Sequence, residues 1–330
     1  MTSPAGVLIG VDVGGTTTSG ALVTPDGAVL SVVQTPTHRD GPGTALDAIL
    51  GAIGQLVVQA GERRLPVEGI GVGLPGIVDA GAGMLKKGID RMPELAGIPL
   101  AERIQAKTGV ISYVDNDVNA LALGEWTWGL GRGAGSLVML ALGTGLGGAL
   151  ILDGQLVRGK DGYGGEFGHV PVDFDGRPCV CGARGCLGAY AAGYAIAMEA
   201  RRRGGRQPGA GPEQTTRDRQ LEHDAEAVFR SAARGDAVAR SVVQEACHAL
   251  GAAIGGLVNG LNPEVVVVTG GIVKSLVSLR NEILDCVSEY ALAPALTGTR
   301  IHLVPGHKSR TGRGGAALVL YERARGRARR

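Results

Sequence analysis

Three segments of the chain share one pattern, in which an apolar run leads into a glycine-rich turn. In VLIGVDVGGTTTSGALV (7–23) and SLVMLALGTGLGGALIL (136–152), a second apolar run follows the turn. Apolar runs on both sides of a glycine turn are typical of β-hairpins. PEVVVVTGGIV (263–273) predicts a buried strand that ends at Gly270 and Gly271, followed by a helix. The two hairpins resemble each other as internal duplicates would.

Apolar residues at helical spacing occupy much of the remaining chain. They predict helices over 43–62 and 117–130, and one long helix or two over 224–263, ended by Asn262 and Pro263. Residues 201–220 are rich in glycine, proline and charge, which predicts an exposed loop. Strands that alternate with helices, in two halves that each begin with a hairpin, indicate an α/β protein with two related domains.

Length and composition exclude several classes of protein. A chain of 330 residues is long for one core, so two domains are expected. Aromatic residues are 3% and the net charge is +2, which argues against a nucleic-acid partner. No run approaches the roughly 18 apolar residues of a membrane span, and no basic region precedes the first apolar segment. We therefore expect a cytoplasmic protein with no membrane partner.

A cysteine cluster is the most specific chemical feature. Cys179, Cys181 and Cys186 are three of the five cysteines, and His169 precedes them by ten positions. One nitrogen and three sulfurs suit tetrahedral Zn²⁺, and a closed set of four protein ligands is typical of structural zinc. Two alternatives are three free cysteines in a loop and a redox pair, although the pair lacks the βαβ context of thioredoxins.

Two glycine turns are candidate phosphate sites. DVGGTTT (12–18) and GTGLGG (143–148) offer successive backbone N–H groups where glycine permits close approach. A hairpin turn without any ligand explains either of them equally well. Taken with TGG at 269–271, they predict a nucleotide-binding site.

A polar cluster follows the short strand predicted over VISYV (110–114). Asp115, Asn116, Asp117 and Asn119 lie where a helix begins. One interpretation is a helix N-cap, since Asp and Asn side chains accept hydrogen bonds from first-turn amides. The other is a general base for phosphoryl transfer, since a carboxylate at a strand end can accept a hydroxyl proton. The sequence leaves both open.

The motifs and their order resemble the ROK family, which comprises bacterial sugar kinases and sugar-responsive repressors. The resemblance covers essentially the whole chain and rests on DVGGTTT, GLPGIVD, DNDVNALALGE, LGTGLGGALILDGQLVRG, GGEFGHV, CVCGARGCL and VVTGG. It implies the two-domain actin-like, hexokinase-type ATPase fold built from duplicated ribonuclease H-like domains. The small domain would comprise residues 1–116 with a C-terminal helix over about 311–330, and the large domain residues 117–310.

The resemblance also implies roles for individual residues. Asp117 would be the catalytic base. The sugar would contact Asn116, Asp117, Glu166, His169 and Gly76. The nucleotide would contact Asp12, Gly14, Gly15, Thr16, Thr17, Gly143, Thr144, Gly145, Gly270 and Gly271. His169 would also bind a structural Zn²⁺ with Cys179, Cys181 and Cys186. The implied cofactors are ATP, Mg²⁺ and this zinc, and the implied assembly is a homodimer or homotetramer.

Three positions depart from the family pattern. Thr17 replaces a common lysine, Asp90-Arg91-Met92 replaces Pro-Asn-Leu, and Gly188 replaces a glutamate that contacts hydroxyls near the anomeric carbon. The chain begins directly on the first phosphate strand, without the helix-turn-helix of the repressors, and this favours a kinase. We expect an ATP-dependent kinase for the primary hydroxyl of a hexose or hexose-like polyol. The alternatives are a C7-cyclitol 7-kinase, with a substrate of the valiolone or valienol type, and a non-catalytic sugar sensor.

Overall fold

The computed structural model describes residues 6–38, 41, 43–88, 92–205, 214–306 and 308–328. For residues 88, 214–223, 308–311 and 328 it describes the backbone alone. The strands are β1 (Val7–Val13), β2 (Thr17–Val23), β3 (Val29–Pro36), β4 (Val67–Leu74), β5 (Gly76–Asp79), β6 (Met84–Gly88), β7 (Ser112–Asn116), β8 (Leu137–Leu142), β9 (Leu146–Leu152), β10 (Gln155–Leu156), β11 (Val265–Gly270) and β12 (Arg300–Pro305). The α-helices are α1 (Ala45–Glu62), α2 (Leu100–Thr108), α3 (Asp117–Trp128), α4 (Gly188–Ala191), α5 (Gly193–Arg203), α6 (Gln214–Ala233), α7 (Ala237–Leu261), α8 (Val273–Leu276), α9 (Arg280–Tyr290), α10 (Ala293–Thr297) and α11 (Lys308–Ala328).

The chain divides into two compact units. The first comprises the described residues of 1–133, 158–164 and 307–330, and the second those of 134–157 and 165–306. This division differs from the expected boundary at residue 116, because α3 packs on α11 and β4 and so belongs to the first unit. A short strap, residues 158–164, also belongs to the first unit although both of its neighbours in sequence belong to the second.

The first unit is a five-stranded mixed sheet covered on both faces. Its strand order is β3-β2-β1-β4-β7, with β1 antiparallel to β2 and parallel to β4. Alternate residues of β1 enter different cores: Val7, Ile9 and Val11 pack with α1, and Leu8 packs with α11. Because both faces are buried, the strand is apolar at nearly every position.

The second unit repeats the same topology. Its sheet has the order β10-β9-β8-β11-β12, with β8 antiparallel to β9 and parallel to β11. In each sheet, three consecutive antiparallel strands form a meander, and two later strands pair in parallel beside the first strand of that meander. The spatial order of the strands is the same in both sheets. The internal duplication predicted from the two hairpins is confirmed, and β11 is the counterpart of β4.

Segment 224–263 forms parts of two helices, α6 and α7. Asp236 caps α7, accepting a hydrogen bond from the Ala239 amide at 2.8 Å, and Asn262 ends it in a left-handed conformation with φ 44°. The loop predicted over 201–220 is wrong at both ends, where α5 runs to Arg203 and α6 begins at Gln214. Arginine is a good helix former, and Arg202 and Arg203 also pair with Glu199 on the same helix, while Arg201 pairs with Asp224 of α6. The middle of that segment, 206–213, lies outside the described residues.

Among the described helices, α7 is long and apolar enough to cross a membrane by length and composition. However, 67% of its most apolar window is buried inside the protein. Cys247, Leu250 and Ile254 of this helix pack with strand residues of the second sheet. This burial is typical of a core helix.

Candidate active site

The first of the two predicted phosphate turns, residues 14–16, joins β1 to β2. Within it, the Gly14 amide donates to the Thr17 carbonyl at 3.0 Å. The fully buried Thr37, which follows β3, holds the turn from the other side. Its amide donates to the Thr16 carbonyl at 3.1 Å, and its hydroxyl donates to the Gly14 carbonyl at 2.6 Å. Sequence reasoning missed Thr37, because only the pairing of β2 with β3 brings it to the turn.

Asp12, near the end of β1, has an unusual ionisation. Burial, and next the negative charge of Asp117, raise the pKa of Asp12 to about 7. The two carboxylates therefore lie within electrostatic reach of each other. Sheet register explains this closeness, since Asp12 is paired with Gly73 in β4, and Gly73 with Asp115 in β7.

Asp117, the first residue of α3, lies close to Gly73, the middle residue of the row Asp12, Gly73 and Asp115. An ideal Cβ on Gly73 would lie 3.0 Å from the Cα of Asp117, so glycine allows the helix to start close to the sheet. The Asp117 Oδ1 accepts a hydrogen bond from the Val118 amide at 2.9 Å. A carboxylate in the first turn is favoured by the helix dipole and its unpaired N–H groups.

Asn116 is the N-cap of α3, so the N-cap interpretation is confirmed for this residue. Its Oδ1 accepts hydrogen bonds from the amides of Val118 at 2.9 Å and Asn119 at 3.1 Å. Its Nδ2 donates to the Gly76 carbonyl at 3.1 Å, which joins two residues of the predicted sugar site. An amide nitrogen carries two hydrogens, so Nδ2 can make this bond and donate a second one to a ligand.

In the second unit, the predicted nucleotide residues lie at the ends of two neighbouring strands. The Gly143 amide donates to the Gly145 carbonyl at 2.9 Å within the turn after β8. Gly270, at the end of β11, has φ 118°, and an ideal Cβ there would lie 2.1 Å from the Leu142 carbonyl oxygen. Only glycine fits this approach. The structure thus brings the second predicted phosphate turn together with Gly270, another predicted nucleotide residue.

The start of α5 also supports the second phosphate turn. The amides of Gly193 and Tyr194 donate to the carbonyls of Gly143 and Thr144, each at 3.0 Å. These bonds hold the backbone carbonyls of Gly143 and Thr144 against the start of α5. Neither Gly193 nor Tyr194 was predicted as part of the site, since the contact joins segments about 50 residues apart in the sequence.

The Glu-x-Gly-His segment forms a 3₁₀ turn over Phe167–His169 that Glu166 precedes. This turn packs against β9, which begins just after the second phosphate turn. Gly188, at the start of α4, faces the same turn: an ideal Cβ there would lie 3.1 Å from the Gly168 carbonyl oxygen. The position where the family has glutamate is therefore in direct contact with the predicted sugar-binding turn.

The four predicted zinc ligands converge. The Nδ1 of His169 and the sulfurs of Cys179, Cys181 and Cys186 all lie within 4.8 Å of one another. The Cys181 and Cys186 sulfurs are 3.8 Å apart, and the Cys179 sulfur is 3.6 Å from His169 Nδ1. Zinc bonds of about 2.3 Å to sulfur and about 2.0 Å to nitrogen place two tetrahedral sulfur ligands about 3.8 Å apart, and a sulfur and a nitrogen ligand about 3.5 Å apart. The donor set and its spacing fit Zn²⁺.

The thiols of this cluster are close enough to affect one another's ionisation. Burial, followed by the neighbouring Cys179 and Cys181 sulfurs, raises the pKa of the Cys186 thiol to about 12. Three thiolates this close repel one another unless a positive charge lies between them. Cys181 and Cys186 are not bonded to each other in the structure, since the sulfurs of a disulfide are separated by about 2.05 Å.

Arg177 and Tyr190 anchor the cysteine loop to the rest of the second unit. The Arg177 guanidinium lies 4.5 Å from the centre of the Tyr190 ring and donates to the Ala189 carbonyl at 3.1 Å. The Tyr190 hydroxyl accepts from the Arg177 amide at 3.0 Å and donates to Asp173 at 2.9 Å. Both residues flank the cysteines in sequence, but no local pattern marked them.

The remaining site predictions divide between the units. Gly15 and Thr17 belong to the first unit with Asp12 and Asp117, and Gly271 belongs to the second. Asp90 and Arg91, two of the three residues at one departure from the family pattern, lie outside the described residues. Met92, the third, is fully buried in the core of the first unit.

Comparison with known proteins agrees with this architecture. A model of the ROK family matches residues 8–323. A glucokinase from Thermotoga maritima is 35% identical over 320 residues, which are 97% of this chain and 98% of that protein.

Two solved structures are similar over nearly their full length. A ROK hexokinase from Thermus thermophilus has a TM-score of 0.78 and 28% identity, with 96% of this chain and 99% of that chain covered. A ROK glucokinase from Streptomyces griseus, in complex with glucose and AMPPNP, has a TM-score of 0.71 and 28% identity, with 95% and 99% covered.

The fold class predicted from the sequence is therefore confirmed as the actin-like, hexokinase-type ATPase fold, with an α/β sheet of the same topology in each unit. The family match extends over nearly all of the chain, and the similar proteins include glucokinases and a hexokinase. The chain belongs to the ROK family.

Proposed function

We propose that this protein is an ATP-dependent sugar kinase that phosphorylates the primary hydroxyl of a hexose. One observation supports the proposal most strongly. Asp117 begins α3 directly after β7, at the carboxyl ends of the parallel strands β1, β4 and β7, where the first predicted phosphate turn follows β1. A carboxylate close to a phosphate-binding turn can accept the acceptor's proton as phosphoryl transfer proceeds. The similarity to glucokinases and to a hexokinase supports the same activity.

In this proposal Asp117 acts as the general base. Its carboxylate accepts the proton of the primary hydroxyl, the hydroxyl oxygen bonds to the γ-phosphorus, and the bond from that phosphorus to the bridging oxygen breaks to release ADP. Asn116 orients the sugar with the second hydrogen of its Nδ2, beside the Gly76 backbone. Glu166 and His169 bind further hydroxyls of the sugar.

The two glycine turns bind the nucleotide, which enters as its Mg²⁺ complex. Backbone amides of Gly14, Gly15 and Thr16, and of Gly143, Thr144 and Gly145, donate to phosphate oxygens. Gly270 and Gly271 leave room for the adenosine. AMPPNP is present in the structure of the similar Streptomyces griseus glucokinase, which supports ATP as the donor. The amides stabilise charge on the phosphates without needing to reorganise.

We further propose that His169, Cys179, Cys181 and Cys186 bind a structural Zn²⁺. The ion would crosslink the cysteine loop to the Glu-x-Gly-His turn, and four protein ligands leave no open position for a water. With Nδ1 directed at the cluster, the Nε2 of His169 remains available for a sugar hydroxyl. His169 would thus connect the metal to the substrate.

A second candidate substrate is a C7-cyclitol of the valiolone type, and Gly188 is the observation that favours it. Gly188 borders the Glu-x-Gly-His turn, since an ideal Cβ there would lie 3.1 Å from the Gly168 carbonyl oxygen. Without a glutamate there, the pocket lacks a carboxylate for hydroxyls near an anomeric carbon. A cyclitol has a primary hydroxyl equivalent to that of a hexose, but no anomeric acetal.

The test is ADP release with MgATP and glucose, N-acetylmannosamine or valiolone, with product identity checked by mass spectrometry. The hexose proposal predicts that glucose has the highest kcat/KM. A clearly higher kcat/KM for valiolone would identify the cyclitol, rather than the hexose, as the substrate. Sugar binding without phosphorylation of any acceptor would overturn the kinase proposal and leave a sugar-sensing protein.

A further inference from the structure

Asp115 is a buried carboxylate directly before the sugar-site pair Asn116 and Asp117. Only 1% of it is exposed. Its Oδ1 accepts hydrogen bonds from the Asn116 amide at 2.7 Å and from the Asn119 side chain at 3.0 Å. A buried carboxylate is costly unless it is paired and hydrogen-bonded. The Oδ1 bonds tie Asp115 to both sides of Asp117.

Arg158 is the cation that pairs with Asp115. Its Nε donates to Asp115 Oδ2 at 2.7 Å, and its Nη2 lies 2.6 Å from the same oxygen. The same Nη2 also donates to Glu322 of α11 at 2.6 Å, and the guanidinium lies 5.7 Å from the centre of the Tyr321 ring. Burial opposes the positive charge, but Asp115 and then Glu322 outweigh it and raise the pKa of Arg158 above its ordinary value.

Arg158 is brought to Asp115 by the strap of residues 158–164. The strap follows β10 in sequence but belongs to the first unit. The Gly164 amide donates to the Arg158 carbonyl at 2.8 Å and closes the strap on itself. Glu166 and His169 come directly after it in sequence. The strap therefore places the partly buried guanidinium of Arg158 against Asp115, which directly precedes Asn116 and the start of α3.

We propose that Arg158 is a positioning residue, which acts through Asp115 to hold the backbone that presents Asp117 to the acceptor hydroxyl. The proposal rests on the kinase function and names a residue that acts on its base. Arg158 binds Asp115, Asp115 binds the Asn116 amide, and Asn116 caps the helix on which Asp117 is the first residue. Loss of one link lets the start of α3 shift.

The contacts to Asp115 distinguish Arg158 from the neighbouring Arg325. Arg325 of α11 also contacts Glu322, at 3.1 Å, and its guanidinium lies 5.5 Å from the Tyr321 ring. Arg158 makes both of these contacts and the additional ones to Asp115. Arg325→Met is therefore a matched control, since it removes an arginine from the same Glu322 and Tyr321 but leaves Asp115 paired.

The kinetic experiment compares Arg158→Met, Arg158→Lys and Arg325→Met. For Arg158→Met we expect kcat to fall about 10- to 100-fold, since small misplacements of a catalytic group cost this much, with KM for ATP within about threefold. Arg158→Lys keeps the charge but not the two-nitrogen contact, so it should recover part of the loss. Arg325→Met should retain wild-type kcat. Circular dichroism and thermal unfolding confirm folding at the assay temperature.

A double variant tests the route through Asp115. Asp115→Asn keeps an oxygen for the Asn116 amide but removes the charge that Arg158 pairs with. In that background Arg158→Met should lower kcat by a much smaller factor than in the wild type, because contacting residues are not additive. An equal factor in both backgrounds would overturn the action through Asp115.

Hydrogen exchange provides a readout that does not depend on activity. Peptides that span 113–123 should exchange their amide hydrogens faster in Arg158→Met than in the wild type. In Arg325→Met the exchange rate of these peptides should equal that of the wild type. If the wild type phosphorylates no acceptor, the kinase proposal fails while this exchange still decides whether Arg158 holds the start of α3. Unchanged exchange together with wild-type kcat in Arg158→Met would overturn the inference.

Discussion

Gly10 of β1 and Gly312 of α11 are in backbone contact. An ideal Cβ on Gly10 would lie 1.8 Å from the Gly312 carbonyl oxygen, and one on Gly312 would lie 2.6 Å from the Cβ of Ala21. A backbone atom cannot move aside as a flexible side chain can. Helix α11 therefore packs directly on the strand that carries Asp12, and this contact accounts for glycine in the middle of β1 and in the second turn of α11.

Gly10→Ala should destabilise the protein strongly. Overpacking typically costs about 1–3 kcal/mol, and a clash with backbone should reach the upper end or exceed it. Gly51→Ala is the matched control, since Gly51 lies on the exposed side of α1 with nothing within 4 Å of an added Cβ. That change should stabilise by about 0.5–1 kcal/mol, from helix propensity. Urea unfolding measures both, and equal effects would contradict the packing model.

Zinc removal should destabilise the second unit. We expect about one Zn²⁺ per chain by elemental analysis, and a lower melting temperature and activity after chelation or in Cys181→Ser. Cys286→Ser is the control, because Cys286 is a partly buried cysteine of α9 outside the cluster. It should keep the metal. Full activity and an unchanged melting temperature in zinc-free protein would rule out the structural metal.

Asp117→Asn should abolish base catalysis while leaving the fold intact. The amide keeps an oxygen for the Val118 amide, so the start of α3 is preserved. Turnover should fall about 10²- to 10⁴-fold, the usual effect of losing a general base, with a smaller change in sugar affinity. Stopped assays of kcat and calorimetric sugar binding check the two parts. More than about a tenth of wild-type kcat would exclude Asp117 as the base.

Asp12 should make the nucleotide-free protein less stable as pH rises. Its pKa is about 7 in the folded protein against an ordinary value of 3.8, so folding favours the protonated form. The stability it contributes is fully present below pH 3.8 and is lost as pH rises through about 7. Asp12→Asn should remove this part of the decline in unfolding free energy between pH 4 and 8. Asp117→Asn should reduce the decline, because the Asp117 charge raises the pKa of Asp12. Parallel pH profiles for all three proteins would contradict this.

Gly188→Glu should alter substrate preference. A carboxylate hydrogen-bonded to sugar hydroxyls contributes about 1.5–3 kcal/mol, so KM for glucose should fall about 10- to 150-fold if the added group reaches the sugar. The new Cβ must displace the Gly168 carbonyl slightly, and Gly188→Ala isolates that steric effect. Gly188→Gln isolates the charge. Equal KM values for the Glu and Ala variants would exclude a role for the missing carboxylate.

Local patterns in the sequence were sufficient to predict the strands and helices whose apolar residues recur at a fixed spacing. The glycine-interrupted apolar runs predicted both hairpins and β11, and helical spacing predicted α1, α3 and α7. They succeeded because strands and helices buried on a face carry a fixed period of apolar residues. The cysteine spacing likewise predicted a cluster, and the four donor atoms do converge. The loop predicted over 201–203 was wrong because arginine is a good helix former and because Arg202 and Arg203 pair with Glu199 one turn earlier on the same helix.

The family motifs in the sequence predicted a sugar kinase with a zinc loop, and the similarity of two hairpins predicted an internal duplication. Tertiary structure alone decided which polar residues meet. Thr37 reaches the first phosphate turn through strand pairing, and Arg158 reaches Asp115 through a strap that belongs to the first unit. Arg158 is 43 positions from its partner in sequence, and Thr37 is 23 from Gly14. Hydrogen bonds and ion pairs form between groups a few ångströms apart in space, and no local period records such a distance.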